Sequence, residues 1–176
     1  MGRFLKFENI DTIPRQVFDA LINDDDLFKL VFYDEFEPLT FPTLTLEEKI
    51  ALINTRAEQV GSRIFFSCYT DNVEDDEHTQ IRISISEIIP EKDNLSTVFI
   101  RVDIICHNNL VLIKDGNRDR LIMQKIVSNL NGNGDTDSVS QLQLPLNRSI
   151  VNFNYNKNFQ GYRLHFRGRI SDKGVN

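Results

Sequence analysis

The sequence predicts an α+β fold: a mostly antiparallel sheet with an N-terminal helix and a second helix, at about 118–131, packed on it. Three observations lead there. Ile81, Ile83 and Ile85 alternate with Arg82, Ser84 and Ser86, and Val98, Ile100, Val102, Ile104 and Cys106 alternate with Arg101 and Asp103 on the other side. Two half-buried runs joined by the turn-forming segment 90–94 read as an antiparallel hairpin. Beyond it, Leu121, Ile122, Ile126, Val127 and Leu130 line one side of a helix from Arg118, which Gly132 stops. Finally, 176 residues with 40% hydrophobic and 26% charged content suit one core, so 1–176 reads as a single domain.

The remaining elements follow in order. Ile13, Val17, Phe18, Leu21 and Ile22 repeat at helical spacing over about 13–23, with Thr12 as N-cap and Pro14 in the first turn, where its missing N–H costs nothing. The aspartates 24–26 break that helix and read as a solvated turn and cap, because a calcium loop needs alternating ligands, a glycine and a distal glutamate. Leu27 to Phe32 suggest a second short helix. Residues 34–46 carry two prolines and read as an extended, irregular arm. Thr45 and Glu48 form a capping-box pattern for a short helix over 46–59, leading into Ile50, Leu52 and Ile53, although Asn54 and Thr55 weaken it. A strand follows over 62–69, an acidic loop over 71–78, and, after the central hairpin and helix, a polar loop over 131–138. Strands over 139–146, 150–153 and 159–170 close the chain, with a turn at 154–158.

No residue pattern points to catalysis, a cofactor or a metal. His78, His107 and His165 lack ligand spacing, and no Cys-x-x-Cys or His-x-x-x-His pair occurs. Cys106 and His107 are adjacent in a strand and therefore point to opposite faces. Cys68 and Cys106 sit in apolar runs and read as buried thiols, a disulfide being the lesser reading. Gly132-Asn133-Gly134 follows a helix instead of opening one, the wrong end for phosphate. The N-terminus has no signal-peptide run, no segment reaches membrane-span length, and the residues after Gly2 do not suit myristoylation, so a chain that is cytosolic when made, without a membrane partner, is expected.

Charge is more informative. Residues 1–116 hold 11 basic and 22 acidic residues, a balance of −11, and 117–176 hold 9 basic and 4 acidic, a balance of +5. The overall −6 argues against a general nucleic-acid binder. In the last strand Tyr162, Leu164 and Phe166 share one face, and Arg163, His165, Arg167 and Arg169 the other. That basic face suits solvent, an acidic partner surface or nucleic-acid phosphates. A chain with separate acidic and basic surfaces can also pair head to tail with its own copies, the contact that closes into rings.

The phrases VDIICHNNLVLIKDGNRDRLIMQKIVSNLNG and NFQGYRLHFRGRIS, the second with an aromatic-rich strand after a Gln-Gly-Tyr turn, resemble those of tailed-phage neck proteins, and the element order resembles the tail-terminator and tail-completion family. The resemblance implies a structural virion protein that forms a ring, commonly of six subunits, capping the tail tube and joining it to the head connector. Tube or sheath protein and connector are then the partners, with DNA passing through the lumen. It implies a sheet including Arg101, Asp103, Arg163, Arg167 and Arg169 that builds the ring or its lumen. Helix 118–131 would lie across the sheet with Arg118, Asp119, Arg120 and Lys125 exposed, and the arm and the two loops would touch neighbouring rings. A head-closure adaptor of the same neck shares these features, and a small nucleic-acid-binding module is the remaining alternative.

Overall fold

The computed structural model describes residues 13–54, 61–67, 77–91, 95–131, 139–145 and 150–171. The readings made for Thr12, Cys68, Gly132 and most of the loops 71–78 and 131–138 lie outside the described residues.

The fold is α+β. Helix α1 (Ile13–Leu21) buries Ile13, Val17, Phe18 and Leu21, the face that its spacing predicts. Helix α2 (Asp25–Phe32) starts at Asp24, whose carboxylate accepts the Leu27 N–H at 3.0 Å. The aspartate triplet is thus a cap and an acidic first turn, favourable at the positive end of a helix. Helix α3 (Leu46–Ala51) forms the expected capping box, with Thr45 Oγ1 accepting the Glu48 N–H and Glu48 Oε2 accepting the Thr45 N–H. It ends at Ala51, where Leu52 and Ile53 enter the core through a turn and Ile53 makes a parallel bridge to Ile64; the stretch 55–59 of the expected helix lies outside the described residues. Ile50 is exposed.

Strand β1 is only Ile64–Phe65, and β2 (Thr79–Pro90) pairs with β3 (Leu95–His107) as the predicted hairpin. Ile81, Ile83 and Ile85 stand opposite Ile104, Val102 and Ile100, and a bulge between Ile85 and Glu87 shifts the register beyond them. A small ribbon of β4 (Leu112–Ile113) and β5 (Gly116–Asn117) leads into α4 (Arg118–Leu130). Three strands follow: β6 (Val139–Gln143), β7 (Ile150–Asn154) and β8 (Phe159–Ser171). The main sheet runs β1-β2-β3-β8-β6, with β7 also pairing β8; β1 is parallel to β2 and the other pairs are antiparallel. Helices α1, α2 and α4 cover one face, where Val98, Ile100, Val102, Ile104, Leu164 and Phe166 meet Val17, Phe28, Ile122, Ile126 and Leu130.

Two details depart from the sequence reading. Gln160-Gly161-Tyr162 is no turn: it lies inside β8, and a β-carbon on Gly161 would overlap the Ile104 carbonyl oxygen of β3. Arg118, expected outside, is fully buried. Its Nε donates to Leu110 O at 2.9 Å, Nη1 to Leu30 O at 2.8 Å and Tyr33 O at 2.5 Å, and Nη2 to Glu35 O at 2.6 Å. The guanidinium therefore closes the C-terminal end of α2, where a cation is favoured, and ties it to the first turn of α4.

Gly161→Ala is expected to lower stability by about 3 kcal/mol, since a strand backbone cannot step aside for the methyl group; a urea midpoint within error of the parent chain would contradict this. Arg118→Met should cost at least about 3 kcal/mol, as buried carbonyls lose a charged donor, and thermal melting of the purified variant measures it.

Candidate functional site

The sheet's second face, away from the helices, carries a transverse row of charge. Backbone register aligns Phe65, Arg82, Asp103, Arg163 and Val151 across β1, β2, β3, β8 and β7. Directly opposed side chains on one sheet face lie within contact distance, so the register itself sets these neighbours. Asp103 is buried at the centre. Its Oδ1 accepts from Arg163 Nε at 2.8 Å, and its Oδ2 accepts from Arg101 Nε at 2.8 Å and Arg163 Nη2 at 3.2 Å. Arg163 also lies over the Phe153 ring, 5.0 Å from its centre, and Arg82 lies over Phe65 at the same distance. Gln80 Oε1 accepts two bonds from Arg82, at 2.9 and 3.3 Å. Burial draws the Arg82 pKa down, with Tyr155 and Asp103 opposing the shift. His165, opposite Arg101, is held below its usual pKa first by burial and then by Arg163, which favours its neutral form.

The eight residues singled out from sequence thus separate into distinct settings. Arg101, Asp103 and Arg163 form one cluster, with the carboxylate buried instead of outward. Arg118 is internal. Lys125, expected exposed, is partly buried and bound to Asp26 at 2.8 Å and Asp24 at 3.6 Å, and the hydrogen bond to Asp26 is the main cause of its raised pKa. Arg120, Arg167 and Arg169 are exposed; Arg120 Nε donates to the Tyr162 hydroxyl at 3.2 Å and Arg167 lies 3.9 Å from Glu91. Arg82 was not singled out, although the alternation of β2 and the hairpin register place it beside Asp103.

A second surface is apolar. The arm 34–46 is pinned to the body instead of running freely: Pro38–Thr40 form a 3-10 turn, Tyr33 stacks on Phe41 at 4.6 Å, and Asp34 pairs with Arg63 at 2.6 Å. The Lys114 N–H donates to Phe36 O at 3.0 Å, which sets the β4–β5 ribbon beside the arm. This region exposes Phe36 by 58% and Leu112 by 68%, together with parts of Phe32 and Phe41. Side chains of this size left in water on anchored backbone mark contact surfaces.

The Cys106 thiol turns to the His107 carbonyl oxygen, 3.6 Å away, and not to its imidazole. The thiol is buried against Thr79 Oγ1 at 3.5 Å and its pKa is pushed up to about 11, chiefly by burial. His107 Nδ1 accepts the Asn109 N–H at 3.3 Å. Among the described residues no three His, Cys, Asp or Glu side chains stand together as a metal site would require.

Residues 24–167 match the YomW family, a span running from the N-cap of α2 into β8. The chain belongs to the YomW family. This is a phage-associated family, so the expectation of a phage protein holds at that level. The YomW match takes in the pinned arm, α4 and the whole Asp103 row, leaving α1 and the last residues of β8 outside it. Comparison with curated proteins finds no match.

Asp119, also expected outside, is buried; its Oδ1 accepts the Arg120 N–H at 2.8 Å and its Oδ2 accepts weakly from Gln160 at 3.5 Å. Burial is the leading cause of a pKa above 3.8. The folded chain therefore binds this proton more tightly than the unfolded one, and stability falls as pH rises through the raised value. Asp119→Asn has no such proton, so its stability relative to the parent should increase between about pH 3 and about pH 7. Urea midpoints at both pH values measure this, and a difference that stays constant would refute it.

Proposed function

We propose that this YomW-family chain is a structural protein of the tailed-phage neck: a tail terminator whose ring of subunits caps the tail tube and joins it to the head connector. The carrying observation is the distribution of side chains. Several charged groups that look free in the sequence are engaged inside the subunit, whereas large apolar groups such as Phe36, Leu112 and Leu46 stand in solvent on ordered backbone. Such a surface gains stability by covering apolar area against other proteins. Membership of a phage-associated family supports the virion setting, and the resemblance of the closing strand and α4 to neck proteins supports the terminator role. On this reading the subunit works by surface complementarity instead of by catalysis, and the arm with the β4–β5 ribbon meets an adjoining ring of tube, sheath or connector protein.

Electron microscopy of particles from a phage lacking this gene tests the assignment. Overlong or unsealed tails are expected. Sealed tails beside leaking heads would move the chain to the head-closure position of the same neck, and normal infectious virions would reject a neck role.

A further inference from the structure

We infer that copies of this chain join head to tail through the two lateral flanks of the sheet, the β7 edge of one subunit docking on helix α3 of the next. This rests on the ring reading above and names its interface. On one flank, β7 pairs only with β8 among the described strands. Its sequence, Ile150-Val151-Asn152-Phe153-Asn154, carries no lysine, proline or charge, the devices that usually protect an unpaired strand edge. Ile150 and Val151 are both about two-fifths exposed, at 42% and 41%. On the opposite flank, the sheet ends at β1, where the Ile53–Ile64 bridge brings in the segment that follows α3. Leu46 and Ile50 stand one helical turn apart on α3 and are exposed by 59% and 40%.

Charge decides which surfaces meet. Segment 150–171 holds four basic residues and no acidic one, whereas 13–54 holds three basic and nine acidic residues. Two β7 edges facing each other would bring Arg163 and Arg167 toward their own copies. The α3 flank instead offers Glu47 beside the apolar pair. Two different surfaces on opposite sides of a subunit make a heterologous contact, the kind that propagates and closes into a ring.

The test uses the full chain with Ile50→Cys and Val151→Cys together, mildly oxidised. A ladder of covalent oligomers on a non-reducing gel is expected, absent from Ile50→Cys alone. Covalent dimer from Val151→Cys alone would mean β7 against β7 and would overturn the inference. So would rings in native mass spectrometry with no ladder, although the neck reading would then stand. Monomer at every concentration, with and without purified tail tubes, would overturn both. Because a cysteine pair can fail to fold, a charge swap gives an independent reading: Glu47→Lys should weaken self-association at least tenfold, and adding Arg167→Glu should restore part of it. Loss of equal size in the double variant counts against the interface.

Discussion

Arg118 enters the interior with its charge intact, and the helical layer is organised around that fact. An unpaired buried cation would be strongly unfavourable, so its donors must find acceptors. Here they find four carbonyl oxygens, of Leu30, Tyr33, Glu35 and Leu110. Three otherwise separate pieces, the end of α2, the root of the arm and the approach to β4, are thereby held to the first turn of α4. Burial lowers the Arg118 pKa, while Cys106 and Asp34 act in the opposite direction. The guanidinium shares with the Asp34–Arg63 pair and the Lys114 N–H bond to Phe36 O the task of fixing the arm's course, and with it the position of Phe36.

The sheet meets a related problem on its second face. Asp103 is buried between strands, which is tolerable because Arg101 and Arg163 reach it from its own and the next strand. Buried ion pairs often add little net stability over apolar side chains of the same shape, but removing one partner is strongly unfavourable, so the arrangement penalises errors. A one-residue slip of β8 against β3 would turn Arg163 to the helical side and leave Asp103 with half its partners. Gly161 enforces the same register sterically, since only a residue without a side chain fits against Ile104. Two independent devices therefore hold β8 in place, and β8 in turn carries both β6 and β7.

This internal use of charge explains why the exterior looks as it does. The aspartates 24–26, which in sequence resemble a solvated acidic tip, neutralise Lys49 and Lys125. The arginines of β8 divide between the Asp103 cluster and the exposed Arg167 and Arg169. What remains outward is an acidic helical flank, a basic strand flank and a set of apolar side chains on anchored backbone, features suited to a subunit that functions in contact with other chains.

Short-range periodicity sufficed for much of the fold. Alternation in 81–85 and 98–106 determined the hairpin because a period of two is read one residue at a time; the α4 stripe and the Thr45–Glu48 box were equally local. The Asp103 cluster was half legible, since Arg101, Asp103 and Arg163 share a predicted face but their burial does not follow from it. The failures are of one kind. Leu52 and Ile53 looked helical because both helix and turn can bury them, and the bridge to Ile64 decided between the two. Arg118 and Asp119 looked exposed because a helical wheel records only the helix's own faces. Three of the four carbonyls that hold Arg118 lie on α2 and the arm, 83 to 88 residues earlier in the chain. Which side chains meet water was settled by those distant partners, because burial is a property of packing between segments and not of any segment alone.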